Sequence, residues 1–288
     1  MTQELSIKQA TSTDFPRVLP LLKKFRSGHL IDDETWQRLF TRKWEGSGKY
    51  CGLILQSGKT PVGFIHSLFS ERVVGDKRFQ FCNLGTWIVE PEFRSKSMNI
   101  FFPFMKLKNI TLTSFTANPR FIPILAGFKF SSLEDQIYFL PPSISLNRKV
   151  QVLMDKENIL KEISGESLRI FSDHRDLFCD HIVLDTPRGN CYMVFNRAFK
   201  KRFPVAFLDY VSDLDLFLTH IHSSSARICS RLGVTALMIG AHSLKGNKLR
   251  GSLEVPRKFK LWFRSEELSS FDVDTLYSEY QVLGLKPT

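Results

Sequence analysis

The sequence predicts a mixed α/β fold, with mostly antiparallel sheet flanked by helices, arranged as two tandem units. Three observations carry this reading. Short apolar runs typical of strands alternate along the 288 residues with stretches whose apolar residues recur at helical spacing. The strand-helix-strand order of the first half is echoed in the second. Between the halves, Pro141 and Pro142 followed by the polar SISLNRK read as a linker, so the expected domains are 1–145 and 146–288.

Taken in order, LSIKQAT at 5–11 alternates as a first strand, and Thr11 to Asp14 supplies cap residues for a helix carrying Phe15, Val18, Leu21, Leu22 and Phe25. A second helix spans Ile31 to Trp44 and ends at Gly46, Ser47 and Gly48. Strands at Tyr50 to Gln56 and Pro61 to Phe69 flank the turn Ser57-Gly58-Lys59, and a second turn near Gly75 and Asp76 leads to a central strand at 79–89. A helix follows at 97–107, irregular at Pro103, then a strand at Ile110 to Phe115 and a short helix containing Pro123. In the second half the helical pattern restarts near Asn158. Leu168 to Phe171, Asn190 to Phe195, Val205 to Tyr210 and Leu214 to His220 read as strands, with Ser212 and Asp213 joining the last two. Ser223 to Leu232 reads as a helix closed by Gly233, Val234 to Gly240 as a buried strand, and the tail as a strand and a last helix from about Val273.

Composition sets limits on function. At 43% hydrophobic and 24% charged, with 26 phenylalanines, the chain has the makings of well-filled cores and lacks the signature of disorder. The segment MTQELSIKQA carries Glu4 and no apolar core, and no run is long enough to span a membrane, so a soluble, cytoplasmic protein is expected. Five cysteines without a C-x-x-C pair read as reduced thiols. The net charge of +11 suits an anionic small ligand, nucleic acid or an anionic membrane surface, and does not choose among them.

The informative stretch is FCNLGTWIVEPEFRSKSMN at 81–99. A buried strand ending in Trp87, Ile88 and Val89 breaks at Glu90-Pro91-Glu92, and a basic, serine-containing helix start follows. Ser97 is placed to cap that helix, and Arg94 and Lys96 add positive charge beside the free amides of its first turn. Such a junction favours an anion with several oxygens, and phosphates fit it.

Val89-Glu90-Pro91-Glu92-Phe93-Arg94-Ser95-Lys96-Ser97-Met98-Asn99 resembles the strand-loop-helix signature of the GNAT superfamily of acyl-CoA N-acyltransferases. In that family the loop amides hold the CoA pyrophosphate. Arg94 matches the first loop position, while Ser97 and Asn99 stand where the family has Gly or Ala. The resemblance implies acetyl-CoA or another acyl-CoA as co-substrate, with Trp87, Ile88, Val89, Arg94, Ser95, Lys96, Ser97, Met98, Asn99 and Asn118 as its binding residues. Asn118, Gly127 and Phe128 match the family's next segment, but the tyrosine often found there as the acid for the departing thiolate has no counterpart between Asn118 and Phe128. The resemblance covers roughly residues 5–140. Beyond it only the order of elements continues, which suggests a second, degenerate GNAT-like unit, and the tail looks like those of tandem GNAT-like proteins of bacterial surface-sugar pathways.

The resemblance places acceptor-facing residues in the strand before the loop, which makes Asn83 and Cys82 the catalytic candidates; Cys82 also reads as core. Glu90 and Glu92 read as candidate bases or as solvated turn residues. His220 and His222, on an expected strand end, have no third ligand at a metal-binding spacing. Three functions remain. The first is an N- or O-acyltransferase moving an acetyl or other acyl group directly to an amine or hydroxyl of a small or sugar-linked acceptor. The second is a CoA-binding scaffold that keeps the fold without the reaction. The third is a basic nucleic-acid-binding protein, although no recognised motif interleaves the basic residues with aromatics.

Overall fold

The computed structural model describes residues 4–25, 28–42, 44–143 and 149–287. The expected domain boundary at 145–146 and most of the linker after Pro142 lie outside the described residues. By contact the chain forms two compact units. One comprises Met1–Ser131, Leu261–Leu268 and Tyr277–Leu283; the other comprises Ser132–Lys260, Ser269–Leu276 and Gly284–Thr288.

The first unit begins with β1 (Leu5–Ala10), α1 (Phe15–Leu22) and α2 (Asp33–Thr41). Phe15, Val18, Leu21 and Leu22 form the buried face of α1. Asp32 starts α2 by accepting a hydrogen bond from the Thr35 amide at 2.7 Å. Next come β2 (Gly52–Ser57), β3 (Thr60–Val74) and β4 (Lys77–Val89), each antiparallel to its predecessor in the sheet. A 3₁₀ stretch at Pro91–Lys96 leads into α3 (Met98–Met105), followed by β5 (Ile110–Ser114), α4 (Ile122–Gly127) and the two-residue β6 (Ser131–Ser132).

The second unit runs through β7 (Gln136–Leu140), β8 (Gln151–Leu153), α5 (Lys156–Glu162), α6 (Gly165–His174), β9 (Asp180–Thr186), β10 (Gly189–Lys200) and β11 (Phe203–Val211). It continues through α7 (Leu214–Leu232), β12 (Ala236–Gly240) and β13 (Leu253–Pro256). Two late segments, β14 (Trp262–Arg264) and α8 (Glu279–Leu283), belong to the first unit.

The two seven-stranded sheets have the same design. Their orders are β1-β2-β3-β4-β5-β14-β6 and β13-β7-β12-β11-β10-β9-β8. In each, one parallel pair, β4 with β5 or β11 with β12, stands within a mostly antiparallel order and flanks a crossover helix, α3 or α7. Each sheet also takes one strand from the far half of the sequence: β14 enters the first beside β5, and β7 enters the second beside β12. Ile100, Phe101 and Phe104 of α3 pack with Leu53, Leu55, Leu84 and Leu112 in the first core. Phe217, Ile221 and Ile228 of α7 pack with Leu184, Met193, Leu208 and Leu237 in the second. The expected mixed, mostly antiparallel fold of two similar units is the observed one.

Several expected elements differ. Leu168 to Phe171 is helical, within α6, since Ile170, Phe171 and His174 make a buried helical face. Leu214 to His220 alternates in sequence but forms the first turns of α7, so His220 and His222 lie on a helix and not at a strand end. The Asp213 carboxylate accepts from the Leu216 amide at 2.8 Å, and this cap overrides the local alternation. Gly233, at φ 66°, closes the helix as expected. The last helix starts at Glu279, well after Val273.

Candidate active site

The site arises where two strands part. β4 and β5 pair in parallel only from Gln80 with Ile110 to Asn83 with Thr113. Immediately beyond, Gly85 pairs with His66 and Ile88 with Phe64, so Ile65 alone faces both Thr86 and Trp87. This is a β-bulge, and it holds Thr86 at φ 34°. The bulge turns β4 away from β5, and a cleft open to solvent forms between Gly85, Thr86 and Trp87 on one wall and Ser114, Thr116 and Asn118 on the other.

Aromatic rings line the mouth. Trp87 stacks on Phe101 at 4.9 Å and on Phe121 at 4.5 Å between centroids. Its indole nitrogen is buried with no acceptor among the described residues, so a donor is available to a ligand.

A carboxyl group lies behind the threonines. Glu279, at the start of α8, is 1% exposed, and the Thr86 hydroxyl donates to its Oε1 while the Thr116 hydroxyl donates to its Oε2 at 2.7 Å. Burial raises the Glu279 pKa, and the two hydroxyl bonds oppose this without cancelling it. Nδ1 of His66, on β3, is 3.9 Å from Glu279 Oε1. His66 Nε2 is 3.3 Å from the Leu39 carbonyl oxygen, which can only accept, so the ring proton is assigned to Nε2 and Nδ1 is a bare acceptor. Burial depresses the His66 pKa to about 3, with the Leu39 bond opposing, so the ring is neutral.

Of the residues singled out in the sequence, Trp87 and Asn118 line this cleft. Asn118 accepts from the Arg120 amide at 3.0 Å and so starts the short turn at Pro119–Phe121. Cys82 and Asn83 lie outside the cleft lining. Cys82 is fully buried in the core, and burial pushes its thiol well above the ordinary value. Asn83 gives its amide to Thr113 Oγ1 at 3.0 Å, tying together the paired part of β4 and β5. Ile88 and Val89 continue β4, while Arg94, Ser95, Lys96 and Asn99 are exposed at the helix start.

Ser97 is not a cap. Its backbone is helical, at φ −58° and ψ −32°, its side chain makes no capping bond, and its amide donates to the Arg94 carbonyl at 3.1 Å. The 3₁₀ turn therefore runs straight into α3, with Met98 as the first α-helical residue. In the second unit, α7 follows β11 in the corresponding place, and there the Asp213 carboxylate occupies the helix start. His222 to Arg227, the segment closest in sequence to a second loop, lies in the middle of α7.

Glu279 is the residue that sequence reasoning missed. Its one local signal is a lone acid among Leu276, Tyr277, Tyr280, Val282 and Leu283, all buried. Its partners lie 193 and 163 positions away in the chain.

No protein-family model and no curated protein matches the chain. Solved structures do. A GCN5-related N-acetyltransferase from Anabaena variabilis is 11% identical with a TM-score of 0.58, over 91% of this chain and 72% of its own. A conserved protein from Enterococcus faecalis is 12% identical with a TM-score of 0.59, over 93% and 74%. A GCN5-related N-acetyltransferase from Kribbella flavida is 12% identical with a TM-score of 0.56, over 91% and 71%. Together with the parted parallel strands and the bulge in β4, these likenesses show that the chain shares the fold of the GCN5-related N-acetyltransferases.

Proposed function

We propose that this protein transfers an acyl group, acetyl in the simplest case, from acyl-CoA directly to an amine or hydroxyl of a small or sugar-linked acceptor. The observation that carries the reading is the cleft between the diverging ends of β4 and β5, walled by Trp87 and Asn118. A thioester lying there would meet strand edges whose backbone groups are no longer paired across the gap, and these can orient the carbonyl and its developing oxyanion. Direct transfer requires no covalent enzyme intermediate, and the buried, protonated Cys82 thiol is consistent with that. Arg94 and Lys96 supply positive charge at the start of α3 for the CoA phosphates.

The alternative of a CoA-binding scaffold draws support from Ser97. Its amide is already given to Arg94, and its side chain replaces the family's small residue. Calorimetry with acetyl-CoA, run beside a thiol-release assay over a panel of primary amines, separates the two. The transfer reading expects binding and release in the parent, and loss of both in Ala117→Trp, which fills the cleft. Binding without release in the parent would favour the scaffold.

A further inference from the structure

We propose that Glu279, backed by His66, is the terminal proton acceptor of the transfer and is reached from the cleft through the hydroxyls of Thr86 and Thr116. The proposal rests on the acyltransferase reading and deepens it. Both threonines line the cleft, and the hydroxyl of each already donates to one carboxylate oxygen of Glu279. When an acceptor ammonium or hydroxyl in the cleft gives its proton to a threonine oxygen, that threonine passes its own proton to Glu279. The acceptor is left as a neutral amine, or as an oxygen nucleophile, free to attack the thioester carbon. The threonine ends as it began and Glu279 as a carboxylic acid. After an amine attacks, its nitrogen gives its second proton to the departing CoA thiolate and Glu279 returns its proton to water when the site reopens, whereas after an oxygen nucleophile attacks, the thiolate takes up the proton that Glu279 gives back.

The position of His66 shows why this carboxyl group can hold a proton. Two acceptors, Nδ1 of His66 and Oε1 of Glu279, face each other 3.9 Å apart, and Nδ1 has no hydrogen-bond partner. With Glu279 ionised, a lone pair confronts a negative charge at a buried position; a proton on Glu279 removes that repulsion. Neighbouring charged and polar groups have other partners. Arg72, also on β3, lies over the rings of Phe81 and Tyr277 at 4.9 and 5.1 Å. The Tyr280 hydroxyl donates to the Phe115 carbonyl at 2.8 Å. On α2, which packs beside α8, Arg38 pairs with Glu34 at 3.6 Å, and Asp33 pairs with Lys23. Burial is accordingly the chief cause of the raised Glu279 pKa.

The test compares the parent, Glu279→Gln, Glu279→Asp and Thr116→Val by acetyl-CoA calorimetry and by thiol release with primary amines across pH. Glu279→Gln keeps the side-chain shape, so folding and acetyl-CoA affinity should hold while turnover falls by about 100-fold or more. The parent should lose kcat/KM as pH falls, with an inflection above the ordinary carboxylate range. Glu279→Gln should lack this limb, and Glu279→Asp should retain it. Thr116→Val should lower turnover more than it raises KM. The proposal is overturned if Glu279→Gln binds acetyl-CoA and turns over within threefold of the parent, or keeps the acid limb. Acetyl-CoA binding without release in the parent also counts against it. Absence of acetyl-CoA binding in the parent would overturn the acyltransferase reading itself, a separate and recognisable failure.

Discussion

A Cβ built on Gly85 would stand 2.1 Å from the carboxyl carbon of Glu279. No side chain tolerates that approach, so the glycine is what lets the α8 carboxyl group sit against the bulged strand. Gly85→Ala should therefore destabilise the protein by about 1–3 kcal/mol through overpacking. Glu279→Ala in the same chain should recover part of that loss, since it removes the clashing group. Urea unfolding of the two single variants and the double variant would measure this coupling, and strict additivity would contradict it.

The His66 ring makes the protein acid-sensitive in a defined window. Unfolded, a histidine takes its proton near 6.5, whereas folded His66 does so only near 3. Between these values the unfolded chain binds more protons, so stability falls as pH drops from 6.5 toward 3, at up to about 1.4 kcal/mol per pH unit from this group. Unfolding free energies measured along that range should show a flatter slope in His66→Gln than in the parent.

In the second unit, Glu134 joins Nδ1 of His242 at 2.7 Å to Arg257 at 2.8 Å, all of them buried. Burial alone would raise the Glu134 pKa, but the His242 and Arg257 contacts outweigh it and hold the carboxyl group below its ordinary value. Its stabilisation is thus present above the unfolded carboxylate pKa and is lost as pH falls through the lower folded value. Glu134→Gln should cost about 3–5 kcal/mol at neutral pH, because Arg257 is left buried without its counter-charge. The deficit in melting temperature should shrink in acid.

Cys82→Ala should leave turnover close to that of the parent and cost about 1 kcal/mol, the loss of one buried sulfur from the first core. Native protein should also resist alkylation at Cys82, because burial keeps the thiol protonated. An acyl group trapped on Cys82, seen by mass spectrometry, would contradict direct transfer.

Ser97 lies inside a continuous helical run and has no capping role, so Ser97→Gly should cost the intrinsic helix penalty of about 0.5 kcal/mol and free some space beside the loop. Ser97→Glu should fold with nearly the same melting temperature yet bind acetyl-CoA more weakly, since its carboxylate repels the phosphates. Unchanged affinity in Ser97→Glu would remove the α3 start from the binding site.

Much of the first unit was legible because its signals are local. The Ser57-Gly58-Lys59 turn, the cap residues before α1 and the apolar run through Trp87 each lie within a few residues of what they determine. Leu214 to His220 misled because alternation over seven residues cannot register a cap at Asp213 or the apolar face that continues to Leu232. Trp87 and Asn118 were readable as site residues through a motif. Glu279 was not, because a carboxyl group that reaches its threonines across 163 and 193 residues leaves no spacing to recognise.

The crossed-over strands set a timetable for biogenesis. A ribosome delivers Gln136–Leu140 before any of the strands β8 to β13 that will surround it, and β5 cannot gain its partner Trp262–Arg264 until about 150 further residues have been made. The amino-terminal half must therefore wait with an open sheet edge, and without the Glu279 carboxyl group beneath its cleft, until translation has passed residue 283. Folding of so non-local a topology should be slow, and nascent chains halted before residue 262 should depend on chaperones to stay dispersed.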